Sequence, residues 1–118
     1  MYSGKEIRIE TSDQNFHAEV ADTFISKFLG LRFRSQGKMI FSFSRNTRAK
    51  IDMLLVPRTL YLYFIDADKE VIDVQRAQPW TLNPRTWKIY SSKKPYRYLL
   101  ESFEQLDLSE GDGLEFET

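Results

Sequence analysis

Leu60-Tyr61-Leu62-Tyr63-Phe64-Ile65 narrows the fold more than any other stretch of this chain. It is continuously apolar or aromatic, of strand length, and too short for a buried helix, so it reads as a central strand buried on both faces. Asp66-Ala67-Asp68-Lys69 follows as a turn, and Glu70 to Val74 then alternates polar with apolar. Together they make a β-hairpin. A lone hairpin is marginal in water, so the rest of the chain must supply partner strands.

It offers several. Glu6-Ile7-Arg8-Ile9-Glu10 alternates, Thr11 to Asn15 is a turn cluster, and Phe16 to Val20 alternates again, which predicts a second hairpin. Met39 to Phe43, Ile51 to Val56, Trp87 to Tyr90, Tyr98 to Phe103 and Leu114 to Glu117 also read as strands. Asp22-Thr23 can cap a helix whose apolar residues Phe24, Ile25, Phe28 and Leu29 precede Gly30, so one short helix is expected at about 22–30. Leu106-Asp107-Leu108 reads as a helical turn. The expected fold is mainly β: one domain over 1–118, a β-sandwich or barrel-like arrangement of short, mostly antiparallel strands.

Composition removes whole classes of function. The chain has no cysteine and one histidine, His17, so thiol catalysis, disulfides and multi-histidine metal sites are excluded. Apolar residues make up 42% and charged residues 29%, ordinary for a globular chain. No apolar run approaches the ~20 residues that span a bilayer, so no membrane partner is expected. The N-terminus has no apolar signal region, and the absence of cysteine suits a reducing, cytoplasmic location. A leader trimmed earlier would leave the same sequence.

Net charge is zero, yet the charge lies in blocks. Seven basic residues and no acids fall between Thr23 and Ile51, and six bases and no acids between Val74 and Leu100. The last eighteen residues carry seven acids and no base. Such blocks can set up a field on one face. Within them Arg45, Arg48, Arg85, Trp87, Lys88, Tyr90, Lys93, Lys94, Tyr96 and Arg97 interleave cations with flat rings. Single-stranded nucleic acids are bound by that mixture, through phosphates and stacked bases. The competing reading puts the rings in the core and pairs the lysines with the acidic end of the chain.

Other constellations carry less. Asp66-x-Asp68-x-Glu70 has carboxylates at alternate positions but lacks the glycine and distal glutamate of a calcium loop, so it is read as a hairpin turn. His17 has no nucleophile or carboxylate tied to it by spacing. Asp52 interrupts an apolar run and could mark a site, but alternation with Lys50 favours an outward position. Glu110-Gly111-Asp112-Gly113 reads as a turn. No catalytic, cofactor-binding or metal-ligating residue is assigned, and no cofactor is expected.

The order of motifs resembles the prokaryotic family known as domain of unknown function 192 (DUF192, UPF0127-like). The matching pieces are Ala21-Asp22-Thr23, Gly30-Leu31-Arg32-Phe33-Arg34, Gly37-Lys38-Met39-Ile40-Phe41, Phe64-Ile65-Asp66 with Val71-Ile72, Tyr90-Ser91-Ser92, Pro95, Tyr98-Leu99-Leu100-Glu101 and Gly111-Asp112-Gly113-Leu114. The resemblance implies a sandwich-like or barrel-like β-domain with one short helix and no transferable activity. Within that resemblance the chain reads as divergent: where the family carries W-M-x-N-T, it has Asp52-Met53-Leu54-Leu55-Val56.

With a complete core and few catalytic parts, the chain is expected to be a non-catalytic module that binds a protein or a small molecule. A nucleic-acid-binding domain using segments 27–50 and 85–98 is the alternative. A carboxylate-dependent hydrolase is the weaker third, and paired acids in a cleft would favour it.

Overall fold

The computed structural model describes residues 5–23, 30–32 and 34–117. Among the described residues, six strands form one mixed sheet: β1 (Glu6–Glu10), β2 (Asn15–Ala21), β3 (Lys38–Thr47), β4 (Leu60–Ile65), β5 (Val71–Ala77) and β6 (Tyr96–Ser102). Their order in space is β1-β2-β3-β6-β4-β5. Only β2 and β3 run parallel. The mainly β, mostly antiparallel fold expected from the sequence is what forms, and the sheet does not close into a barrel.

Both expected hairpins are present, each held by local chemistry. Between β1 and β2, the Thr11 hydroxyl accepts from the Gln14 amide at 3.2 Å while the Thr11 amide donates to the Gln14 carbonyl at 2.9 Å. Between β4 and β5, Asp66 Oδ1 accepts from the amides of Asp68 and Glu70 at 2.9 and 3.0 Å. The Asp66 carboxylate is thereby spent on the turn. Lys69 completes it with φ of +64°.

Strand alternation sorts the apolar residues onto two faces. Met39, Phe41, Leu62, Phe64 and Leu99 point to one, with Leu31, Met53, Val56 and Phe103 packed over them. Ile40, Tyr63, Ile65 and Leu100 point to the other, covered by Leu108, Leu114 and Phe116. The edges of the sheet are guarded. Glu115 bridges to Glu10 on β1. Along β5, Asp73 Oδ2 accepts from the Lys93 amide at 3.1 Å, and Gln75 donates to the Ser91 carbonyl.

Several expected elements take another form. Ile51 to Val56 is not a strand: Ile51 makes one bridge, to Tyr90, and the chain then turns, with the Val56 amide donating to Met53 and Leu55 at φ of +63°. Trp87 to Tyr90 likewise contributes only Tyr90 to pairing, because Pro84 opens a 3₁₀ turn over Pro84–Thr86 capped by the Asn83 side chain. Leu114 to Glu117 is reduced to isolated bridges at Gly113 and Glu115. Leu106 to Leu108 forms no helical turn; the Tyr63 hydroxyl instead accepts from the Leu106 amide at 2.7 Å and holds this segment against the sheet. Conversely β3 runs past Phe43 to Thr47, where it pairs with Tyr96 beyond an irregularity that starts at Ser42. The helix expected at 22–30 falls on residues 24–29, outside the described residues.

Candidate ligand pocket

A cavity of about 270 Å³ opens on the face of the sheet that carries Phe41 and Leu99. Its walls are largely apolar, from Leu31, Phe41, Phe43, Ile51, Val56 and Leu60. Among the described residues, four ionisable ones share the lining with them: the exposed Lys50, and the three less exposed Arg32, Asp52 and Glu101.

Each of the three is placed by a different element. Glu101 lies on β6 in the middle of the sheet, paired with Met39 of β3 on one side and Leu62 of β4 on the other. Directly opposed residues share a face, so its carboxyl stands among the apolar side chains of the cavity face. It is 6% exposed. Asp52 follows the Ile51–Tyr90 bridge, and its Oδ1 accepts from the Leu54 amide at 2.9 Å, an Asx turn that fixes the carboxylate. Arg32 sits just after Gly30 and meets Asp52 with both terminal nitrogens, Nη1 to Oδ1 at 2.7 Å and Nη2 to Oδ2 at 3.0 Å. Nη1 also donates to the Leu54 carbonyl at 2.5 Å. Gly30 is required here twice over. Its φ is +48°, and a Cβ would stand 3.1 Å from the Phe41 ring and 3.8 Å from Glu101 Oε1.

The environments drive the two carboxyls apart. The hydrogen-bonded Arg32 guanidinium holds Asp52 below the ordinary carboxylate range, against a smaller opposing effect of burial. Burial pushes Glu101 up to about 8, with Arg32 pulling down and the Asp52 charge pushing further up. At neutral pH the pocket therefore holds an ion pair and, beside it, a mostly protonated carboxyl that can donate a hydrogen bond.

The interleaved cations and rings take several different environments. Tyr96 is fully buried, its ring edge-on to Phe43 and Phe64 and its hydroxyl donating to the Ala49 carbonyl at 2.7 Å. Tyr90 is half-buried, packs against the cavity-side core and accepts from the Gln78 amide. Lys93 pairs with Glu110 at 2.6 Å. Arg97 Nε donates to Asn46. Arg45, Arg48, Arg85, Lys88 and Lys94 are exposed. Trp87 is half-exposed, with its ring centroid 6.1 Å from that of Trp80 and its indole N–H donating to the Thr81 carbonyl. His17 is exposed on β2 opposite Arg8 and takes no part in the pocket.

Sequence reasoning passed over the pocket. Asp52 is turned into it by the pair with Arg32 and is not displayed outward as alternation suggested. The available signal was a carboxylate inside an apolar run. Glu101 gave an equivalent signal after Leu99-Leu100, in a strand otherwise buried at its end. Among the described residues, no group of three or more His, Asp or Glu side chains is arranged to hold a metal ion. Nor is any helix among them long and apolar enough to cross a membrane.

Residues 6–116 match the family DUF192, described as uncharacterized ACR. The UPF0127 protein PF1050 of Pyrococcus furiosus is 34% identical over 120 residues, covering 96% of this chain and 91% of that protein. A UPF0127 protein of Thermococcus gammatolerans is 30% identical over 104 residues; the match covers 81% of this chain but only 63% of that relative's length. Two crystal structures share the fold. One is a protein of Sinorhizobium meliloti 1021 described as a candidate transcription regulator, with a TM-score of 0.78 at 24% identity over 94% of this chain and 92% of that one. The other is a protein of unknown function from Novosphingobium aromaticivorans, with a TM-score of 0.74 at 20% identity over 93% of this chain and 83% of that one.

Proposed function

We propose, from the premise that this chain belongs to the DUF192 family, that it is a small-ligand-binding β-domain whose ligand occupies the cavity beside Arg32, Asp52 and Glu101. One observation carries the reading. A buried carboxyl, with a partly exposed ion pair beside it, lines a largely apolar cavity, and burying that carboxyl costs stability that an all-apolar core would not lose. Concave, mostly apolar pockets with a few convergent polar groups are the usual form of a small-molecule site. Amide NMR spectra of the labelled protein, titrated with a library of one-ring compounds, test it. Shifts confined to Leu31, Phe41, Ile51 and Leu99 are expected. No compound moving these amides would sink the reading.

A second reading has its own support. Two carboxyls whose environments push their proton affinities in opposite directions line one cavity, the arrangement that serves as acid and base in hydrolysis. Here Glu101 would be the acid and Asp52 the base or nucleophile. Chromogenic glycosides and esters with the native chain provide the check. Turnover that rises through a bell-shaped pH profile and vanishes in Glu101→Gln and in Asp52→Asn supports it, and the same turnover in both variants removes it.

A further inference from the structure

The charge arrangement of the cavity says more about its occupant than its size does. Arg32 does not offer its cation to an incoming anion. Both terminal nitrogens are engaged by Asp52, and one is shared with the Leu54 carbonyl. Asp52 is equally committed: each carboxylate oxygen accepts from Arg32, and Oδ1 accepts from the Leu54 amide as well. The pair therefore cancels its own charge and is held in place by backbone. Lys50, the remaining cation among the described lining residues, is exposed, where its ammonium keeps its water. What faces the apolar part of the cavity is Glu101, flanked by Met39 and Leu62, with Leu99 on the same face two residues before it along β6.

An ionic ligand entering this space would lose its hydration and find its countercharge already taken. An uncharged molecule loses little on entering, provided its polar atom meets a partner. The volume, about 270 Å³, lies just below the range of drug-sized sites and suits a single ring with a short substituent.

We propose that the cavity takes an uncharged, chiefly apolar small molecule carrying one hydrogen-bond-accepting oxygen, such as an alcohol, aldehyde, ketone or amide, seated with that oxygen at Glu101. The inference rests on the ligand-binding reading above and gives it a substrate class. The carboxyl supplies the complementary O–H, because burial keeps it protonated up to about pH 8. Binding of such a molecule weakens once that proton is lost.

Three probes of one shape decide the matter: benzyl alcohol, benzylammonium and benzoate, each titrated into the labelled protein and followed by the amides of Leu31, Phe41, Ile51 and Leu99. At about pH 6.5 the alcohol is expected to bind at least about tenfold more tightly than either ion, a gap of about 1.4 kcal/mol. Its affinity is expected to fall between about pH 6.5 and about pH 9 in the native chain. In Glu101→Gln, whose amide donates at every pH, that fall disappears while binding at the lower pH survives. Benzylammonium or benzoate binding as tightly as the alcohol overturns the proposed ligand class and leaves the pocket reading standing. An affinity for the alcohol that ignores pH in the native chain overturns the role of Glu101, whether or not the variant folds. Silence from all three probes overturns the pocket reading together with this one.

Discussion

The two faces of the sheet are made from the same strands and do different work. Neighbouring residues on β6 separate them: Leu100 points into the face closed by Leu108, Leu114 and Phe116, and Glu101 points into the face that holds the cavity. On the closed face the buried hydroxyls are satisfied by backbone, Tyr63 at Leu106 and Ser102, two residues after Leu100 on β6, by the Glu104 amide at 3.0 Å. The segment covering this face is also pinned by Lys69, which donates to the Phe116 carbonyl at 2.6 Å and lies over the Phe116 ring at 4.8 Å. On the cavity face, by contrast, an ion pair and a buried carboxyl interrupt the packing. The contrast teaches that the chain could have filled both faces alike. The buried Glu101 carboxyl and the Arg32–Asp52 pair instead stand together on the cavity face.

The comparison can be broken most forcefully on the closed face. Leu100→Ala removes a fully buried side chain between β3 and β4 and is expected to cost about 2–5 kcal/mol in urea unfolding. Binding of a pocket probe should be unchanged in the fraction that stays folded. A parallel loss of binding would mean that the faces are not separable.

A smaller effect, spread over pH, sharpens it from the other side. The folded state holds the Glu101 proton up to about 8, while the unfolded chain releases it near the ordinary 4.5. The stabilisation is therefore complete below about 4.5 and is lost as the pH rises through about 8, by a total on the order of a few kcal/mol. Asp52 works in the opposite sense: its contribution is present above 3.8 and is lost as the pH falls. Glu101→Gln should flatten the decline between about 4.5 and about 8 in a series of unfolding curves. An unchanged slope would show that Glu101 is ionised in the folded protein.

The smallest effect belongs to neither face. Leu82, at the tip of the loop between β5 and β6, is 98% exposed. Leu82→Ser should change thermal stability by no more than about 0.5 kcal/mol. A larger loss would reveal packing that the loop does not show.

How much of this was legible follows from the range of the interactions involved. Alternation over Glu6 to Glu10 and over Glu70 to Val74, and the apolar run Leu60 to Ile65, report a strand from neighbours two residues apart, and those strands formed. Ile51 to Val56 has equally strand-like composition, yet the Asx turn at Asp52 and the positive φ of Leu55 take it out of the sheet. Nothing within six residues announces that. The pocket is more remote still, because Arg32 and Asp52 lie twenty residues apart in sequence and Glu101 joins them only through the pairing of β6. The basic–aromatic stretch was conspicuous for a different reason. Composition shows that Tyr96 and Lys93 are near each other in sequence but not that one faces the core and the other an acidic partner.

The position of β6 also governs how the molecule can be made. It is the last of the six strands to leave the ribosome, and it is the one that joins the β1-β2-β3 half to the β4-β5 half. Until it arrives, β3 and β4 each present an open edge, the kind of surface that recruits other chains. Assembly of the sheet must therefore wait for β6 and close over long loops, which favours slow folding and gives a nascent chain reason to be shielded in the interval. The buried carboxyl of the cavity rides on that same strand, so the cavity takes shape only when the two halves of the sheet are joined.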